Sequence, residues 1–172
     1  MNTRMQKVFL SLGSNLGERK KFLIEAIGEL QNHIGKLIVD SELYETEPWG
    51  FETSEKFLNM VVVFETELSP FDVLQICLEV ESGLGRKRKL TGGYTSRTID
   101  IDVLFYADLV LETSKLVLPH PHIQNRKFIL APLYDVAPDL QHPLLGQTVE
   151  QLLKTCPDHG EVVPAGKLNF ND

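Results

Sequence analysis

The chain has little of what would place it outside the ordinary globular class. Its 172 residues include two cysteines, Cys77 and Cys156, distant in sequence, so no disulfide framework is expected and a reducing cytosol suits it. No apolar run approaches a membrane span; the longest are strand-sized, such as MVVVF. The N-terminus lacks a signal peptide's apolar region, so a cytoplasmic protein without membrane attachment is expected. Low-complexity tracts and internal repeats are absent. An excess of positive charge is missing too: 17 Lys and Arg stand against 24 Asp and Glu, and the resulting net charge of −7 repels nucleic acid. What remains, 42% apolar and 24% charged residues, suits one compact domain over residues 1–172, with a core from about 8 to 155.

Periodicity supplies the order of elements. Val8–Leu12 reads as a strand, and GSNLG turns into a helix from Glu18 in which Leu23, Ile27, Leu30 and Ile34 form one apolar stripe, ended by Gly35. Leu37–Thr46 reads as a strand, and Asn59–Glu67 as a central strand buried on both faces. Ser69, with Pro70 first in the helix and Asp72 three residues on, opens a second helix carrying Val73, Cys77, Val80 and Leu84. Ile99–Tyr106 is a fourth strand. This order, β-α-β-β-α-β, is the ferredoxin-like α+β pattern: an antiparallel sheet with helices on one face. The remainder, with a short strand near Leu116–Leu118 and helices near Arg126–Asp135 and Val149–Thr155, is a C-terminal extension expected to cover the sheet edge and complete a site.

The chemistry concentrates between Gly85 and Tyr106, GRKRKLTGGYTSRTIDIDVLFY. Four consecutive cations, Arg86 to Lys89, and then Arg97 precede a strand carrying Asp100 and Asp102. Residues i and i+2 of a strand share a face about 6.6 Å apart, so the two carboxylates project together while Ile99, Ile101, Val103 and Phe105 face the other way. Such a pair suits Mg²⁺, which takes one or two carboxylates plus substrate phosphate oxygens, and the cations suit a polyphosphate. Each half alone is also consistent with a solvated loop and a strand's wet face.

Two further segments carry candidate ligand groups. In PHPHIQNRKF, His120, His122 and Arg126 offer hydrogen bonds to anionic oxygens, or cap the following helix; as a zinc site the H-x-H pair lacks a third close ligand. In EPWGFETSEKFLN, Trp49, Phe51 and Phe57 surround a loop ending at Asn59, a combination suited to a flat heteroaromatic ligand, although ordinary packing accounts for the aromatics equally. GSNLG lacks the spacing of known phosphate loops.

Together SLGSNLG, TEPWG, FLN, LGRKRK, RTIDIDVLFY and PHPHIQNRKFILAPL, in this order from Val8 to Thr155, resemble the 6-hydroxymethyl-7,8-dihydropterin pyrophosphokinases of folate biosynthesis. The resemblance implies transfer of the β,γ-diphosphate of ATP to the pterin's hydroxymethyl oxygen with release of AMP. It further implies two Mg²⁺ ions at Asp100 and Asp102. Nucleotide contacts are implied at Arg86, Arg88, Arg97, Lys115, His120 and Arg126, with Arg86 and Arg97 catalytic beside the aspartates. Pterin contacts are implied at Thr46, Glu47, Trp49, Phe57, Asn59, Tyr94 and Phe128, and an acidic neighbour of the phosphate lid at Glu81. Phe57 stands where a tyrosine is common, and Tyr94 where a tryptophan is. A monomer is expected. Two rivals remain at this point: a nucleic-acid-binding module using the Arg86–Lys89 loop, and a kinase moving only the γ-phosphoryl group.

Overall fold

The computed structural model describes residues 4–48, 54–85 and 98–171. Strand β1 spans Gln6–Ser14, helix α1 Arg19–His33, β2 Lys36–Asp40, β3 Tyr44–Thr46, β4 Phe57–Thr66, α2 Pro70–Gly83 and β5 Asp100–Tyr106. Short strands β6 (Leu111–Glu112) and β7 (Val117–Leu118) pair with each other, followed by α3 (Lys127–Val136), α4 (Val149–Lys154) and β8 (Val162–Pro164). All pairings in the main sheet are antiparallel, in the order β5-β1-β4-β3-β8, with β2 also on β4. The ferredoxin-like order expected from the periodicity is therefore present.

Local signals explain the two long helices. The Ser69 hydroxyl accepts the Asp72 N–H at 3.2 Å with Pro70 in the first turn, which satisfies one of the orphan donors at the start of α2. After α1 the chain turns at Gly35, whose φ is +148° and where a Cβ would lie 2.1 Å from the Glu65 carbonyl oxygen; only glycine allows that approach.

Strand β4 serves two cores. Leu58, Met60, Val62 and Phe64 pack with Leu23, Ala26, Ile27 and Leu30 of α1 and with Val73, Cys77 and Val80 of α2. Val61 and Val63, on the opposite face, pack with Ile129, Leu130 and Leu133 of α3 and with Val149 and Leu152 of α4. The C-terminal extension thus covers an edge, through β8 on β3, and beyond that expectation it buries the sheet's second face.

Two details depart from simple alternation. The strand expected over 37–46 is split into β2 and β3, and between them Ser41 takes the place of a ladder residue. Its backbone N–H donates to the Val61 carbonyl at 2.9 Å, its hydroxyl accepts the Val61 N–H at 2.9 Å, and that hydroxyl donates to the Glu42 carbonyl at 2.7 Å. In β5, pairing passes from Leu10↔Val103 to Phe9↔Phe105, leaving Leu104 as an extra bulged residue. Phe105, which strict alternation would align with Ile101 and Val103, therefore lies in the second core, edge-on to Phe9 with centroids 5.9 Å apart.

Ser41 is fully buried, so Ser41→Ala strands the Val61 N–H. The variant is expected to lose about 1–3 kcal/mol of unfolding free energy, measured by urea titration; an unchanged midpoint would remove Ser41 from the edge's hydrogen-bond accounting.

Candidate active site at the open edge of the sheet

Strand β5 ends the sheet, so its outward-facing backbone groups need partners from elsewhere. The Ile101 N–H donates to Oε1 of Glu81, a buried residue of α2, at 2.7 Å. The carbonyl of the bulged Leu104 accepts the His120 N–H at 2.9 Å. These two bonds draw α2 and the His120 segment to the edge on which the carboxylates sit. Asp100 and Asp102, both half-buried, share the face opposite Ile101 and Val103, as their spacing predicts. Around them lies a cleft of about 390 Å³ lined by Glu81, Asp100, Asp102, Lys115, His120 and Pro121, among others.

His120 enters this cleft as a neutral ring. Burial pushes its pKa down to about 4, helped by the charges of Arg126 and His122 and opposed by Asp100. Its Nδ1 accepts the His122 N–H at 3.2 Å, which puts the proton on Nε2 and makes that atom a donor. The two histidine rings meet edge to face at 5.9 Å. With Nδ1 so engaged, the neutral ring of His120 has no free lone pair to offer a metal. Two neighbouring carboxylates beside a cleft do fit Mg²⁺, whose other positions substrate oxygens and water fill.

Arg126 is buried at the start of α3, with its guanidinium carbon 5.9 Å from the centroid of the half-buried Phe128 ring. Asp158 accepts the Lys127 N–H at 3.0 Å and so fixes that helix end. At the helix's other end Asp135 accepts from the Tyr44 hydroxyl at 2.9 Å and from the Glu42 N–H at 3.1 Å, tying α3 to β3. Burial, then the bond to Asp135, raises the Tyr44 pKa well above the phenol range and keeps it a donor.

Register brings the remaining candidates into line. Asp100 pairs with Gly13, Gly13 with Asn59 and Asn59 with Tyr44, so one row crosses four strands. Two strand spacings separate the backbones of Asp100 and Asn59, roughly 9–10 Å. Between them Gly13 offers bare backbone, and a Cβ there would lie 2.7 Å from Asn59 Oδ1. Asn59 is buried, and its Nδ2 donates to Thr46 Oγ1 at 2.6 Å, leaving Oδ1 as an acceptor over Gly13. Phe57 stands next to this pair, where the same Cβ would lie 3.6 Å from its ring. Arg19 pairs with Glu45 at 3.2 Å and donates to the Lys56 carbonyl at 2.8 Å, and Lys56 pairs with Glu47 at 3.2 Å, closing the base of the intervening loop.

Among the sequence-derived candidates, register therefore puts Asp100 and Asp102 on the sheet face of Thr46, Phe57 and Asn59, while Lys115 and His120 line the cleft at the β5 edge. Glu47 forms an exposed ion pair. Trp49, Arg86, Arg88, Tyr94 and Arg97 lie outside the described residues. Sequence reading missed Gly13, because only the register between β1 and β4 reveals what its missing side chain accommodates.

Comparison with known proteins gives a consistent result. The family model for 7,8-dihydro-6-hydroxymethylpterin-pyrophosphokinase (HPPK) matches residues 9–138. A 2-amino-4-hydroxy-6-hydroxymethyldihydropteridine pyrophosphokinase from Porphyromonas gingivalis is 48% identical over 141 residues, covering 81% of this chain and 95% of its own. The Bacillus subtilis protein of that name is 35% identical over 144 residues, covering 83% and 85%. Among solved structures, an HPPK-DHPS complex with substrates matches with a TM-score of 0.73 at 16% identity, over 88% of this chain and 43% of that one. That likeness supports the fold, and this chain spans less than half of that protein.

Two outcomes are expected of the site. In an NMR titration His120 should gain its proton near pH 4, well below an ordinary histidine. Because the unfolded chain binds that proton first, the group's share of stability is intact above the ordinary histidine pKa and is lost as pH falls toward 4; His120→Gln should flatten that part of the pH–stability curve. Gly13→Ala should displace the Asn59 amide; on the expectation that this amide holds the flat substrate, the KM for that substrate should rise by about 10-fold or more with little change in that for nucleotide, since misplacement by an ångström can cost 10²-fold. Equal effects on both substrates would separate Gly13 from the Asn59 pocket.

Proposed function

The chain belongs to the 7,8-dihydro-6-hydroxymethylpterin-pyrophosphokinase family, and on that premise we propose how its edge cleft performs the family's reaction. That reaction moves the β,γ-diphosphate of ATP to the hydroxymethyl group of 6-hydroxymethyl-7,8-dihydropterin in folate biosynthesis, releasing AMP.

In this reading the pterin lies over Gly13, its polar edge met by the amide of Asn59 and the hydroxyl of Thr46, with Phe57, Phe128, Trp49 and Tyr94 contributing aromatic faces. Its hydroxymethyl arm points along the row toward Asp100. The spacing of that row is the observation that carries the proposal: a strand's width on either side of Gly13 lets one small molecule touch the amide and reach the carboxylates. Nucleotide phosphates occupy the cleft beside Lys115 and His120, where the neutral His120 Nε2–H donates to an oxygen without adding charge. Arg126, Arg86, Arg88 and Arg97 supply the cations that spread the remaining charge.

The hydroxyl oxygen forms its bond to the β-phosphorus as the bond from that phosphorus to the α,β-bridging oxygen breaks; AMP departs with the electron pair, and the hydroxyl's proton passes to water. Asp100 and Asp102 would hold the two Mg²⁺ ions, which when bound neutralise phosphate charge and acidify the hydroxyl. The protein's share is alignment and charge placement, with no covalent intermediate. The whole chain, residues 1–172, acts in this reading as one monomeric catalytic unit in the cytoplasm, a reducing compartment that the free thiols of Cys77 and Cys156 suit.

Asp100→Ala and Asp102→Ala are each expected to lower kcat by at least about 10²–10³-fold, as loss of a transition-state electrostatic group does, while pterin affinity by calorimetry stays close to wild type. Pterin-dependent AMP formation is the assay. Turnover that survives either substitution places the metal elsewhere.

A further inference from the structure

The bond from Ile101 to Glu81 does more than tidy a strand edge. Ile101 is the residue between Asp100 and Asp102, and its peptide N–H turns away from β1 to a side chain delivered by α2. That N–H belongs to the peptide between Asp100 and Ile101, so its orientation constrains the backbone that leads from one carboxylate to the other. Glu81 is 2% exposed, and burying a carboxylate is costly where a neutral acceptor could also serve the N–H. The fully buried Cys77, one turn before Glu81 on α2, has its thiol pKa pushed up by burial first, and then by the charges of Glu81 and Asp102. Glu81 and Asp102 thus both approach the seam between α2 and β5.

We propose that Glu81 is a positioning residue for the metal carboxylates: by holding the Ile101 N–H it fixes the Asp100–Ile101 peptide, the first of the two links between Asp100 and Asp102. This rests on the reading of those aspartates as the Mg²⁺ ligands. Glu81 acts through Ile101 and touches no reacting atom. Its length is what matters, because the helix stands off the strand by the reach of a glutamate side chain.

Two near-isosteric variants separate reach from charge. Glu81→Gln keeps the reach and an acceptor oxygen but loses the charge; Glu81→Asp keeps the charge but falls short of the strand. Both are followed by hydrogen exchange at the Ile101 amide and by Mg²⁺ titration of ¹⁵N-labelled protein with a non-hydrolysable ATP analogue. Glu81→Gln should leave Ile101 protected and the Mg²⁺ midpoint at its wild-type position. Glu81→Asp should expose Ile101 to exchange and raise the Mg²⁺ midpoint about 10–100-fold, the range for loss of a group that orients a metal ligand. The reverse order, equal losses in both variants, or no change in either overturns the positioning role. Asp100→Ala in the same titration tests the metal assignment independently: a Mg²⁺ response that survives it overturns that reading, while the exchange rate still judges the Glu81 bond.

Discussion

A sheet must end somewhere, and its last strand carries peptide groups that no neighbouring strand will satisfy. In this protein that obligation falls on β5, and the way it is met organises the site. Glu81 accepts from Ile101, and the bulged Leu104 accepts from His120. Neither bond is part of a ladder, yet together they bring a helix and a loop to the strand that bears Asp100 and Asp102. The cleft is the space these recruited elements leave between them and the strand. Because open edges accept material from several parts of the chain, Lys115, His120 and Pro121 can line the same space as residues of α2.

The interior of the sheet contributes differently. Strand β4 is buried on both faces along most of its length, which makes its backbone a fixed reference for both cores. Asn59 sits near one end of that strand, bonded to Thr46 on the next. Gly13 leaves room for its amide by omission. The amide at the centre is thus fixed by the sheet itself, whereas the groups at the edge are held by single bonds from a helix and a loop, the division of labour on which the proposed holding of a flat acceptor and a charged donor rests.

Much of this was legible from the residues themselves. The stripe Leu23, Ile27, Leu30, Ile34 and the Ser69-Pro70-Asp72 start identify helices because their causes are local. Asp100 and Asp102 share a face because alternation is local too. What escaped was relational. Ser41 is a serine within a strand-like run, and nothing nearby says that its hydroxyl will replace a peptide in the ladder. Register, which sets Gly13 beside Asn59, belongs to a pair of strands and to neither sequence alone. The coverage of the second face by α3 and α4 likewise depends on where Val61 and Val63 point once β4 has been placed. Glu81 could be matched by resemblance, but its bond to Ile101 required three-dimensional placement.

The bulge at Leu104 makes length and identity unequal as hereditary variables. Upstream of it the strand directs carboxylates to the site and aliphatics to the first core; downstream, the same phase would carry Phe105 away from Phe9 and His142. The extra residue works as a phase shifter between two halves of one strand, each obeying a different core. Substitutions along β5 alter one contact at a time, whereas loss of a single codon within it would set one half at odds with the other. The strand's length is thereby held more tightly than most of its letters.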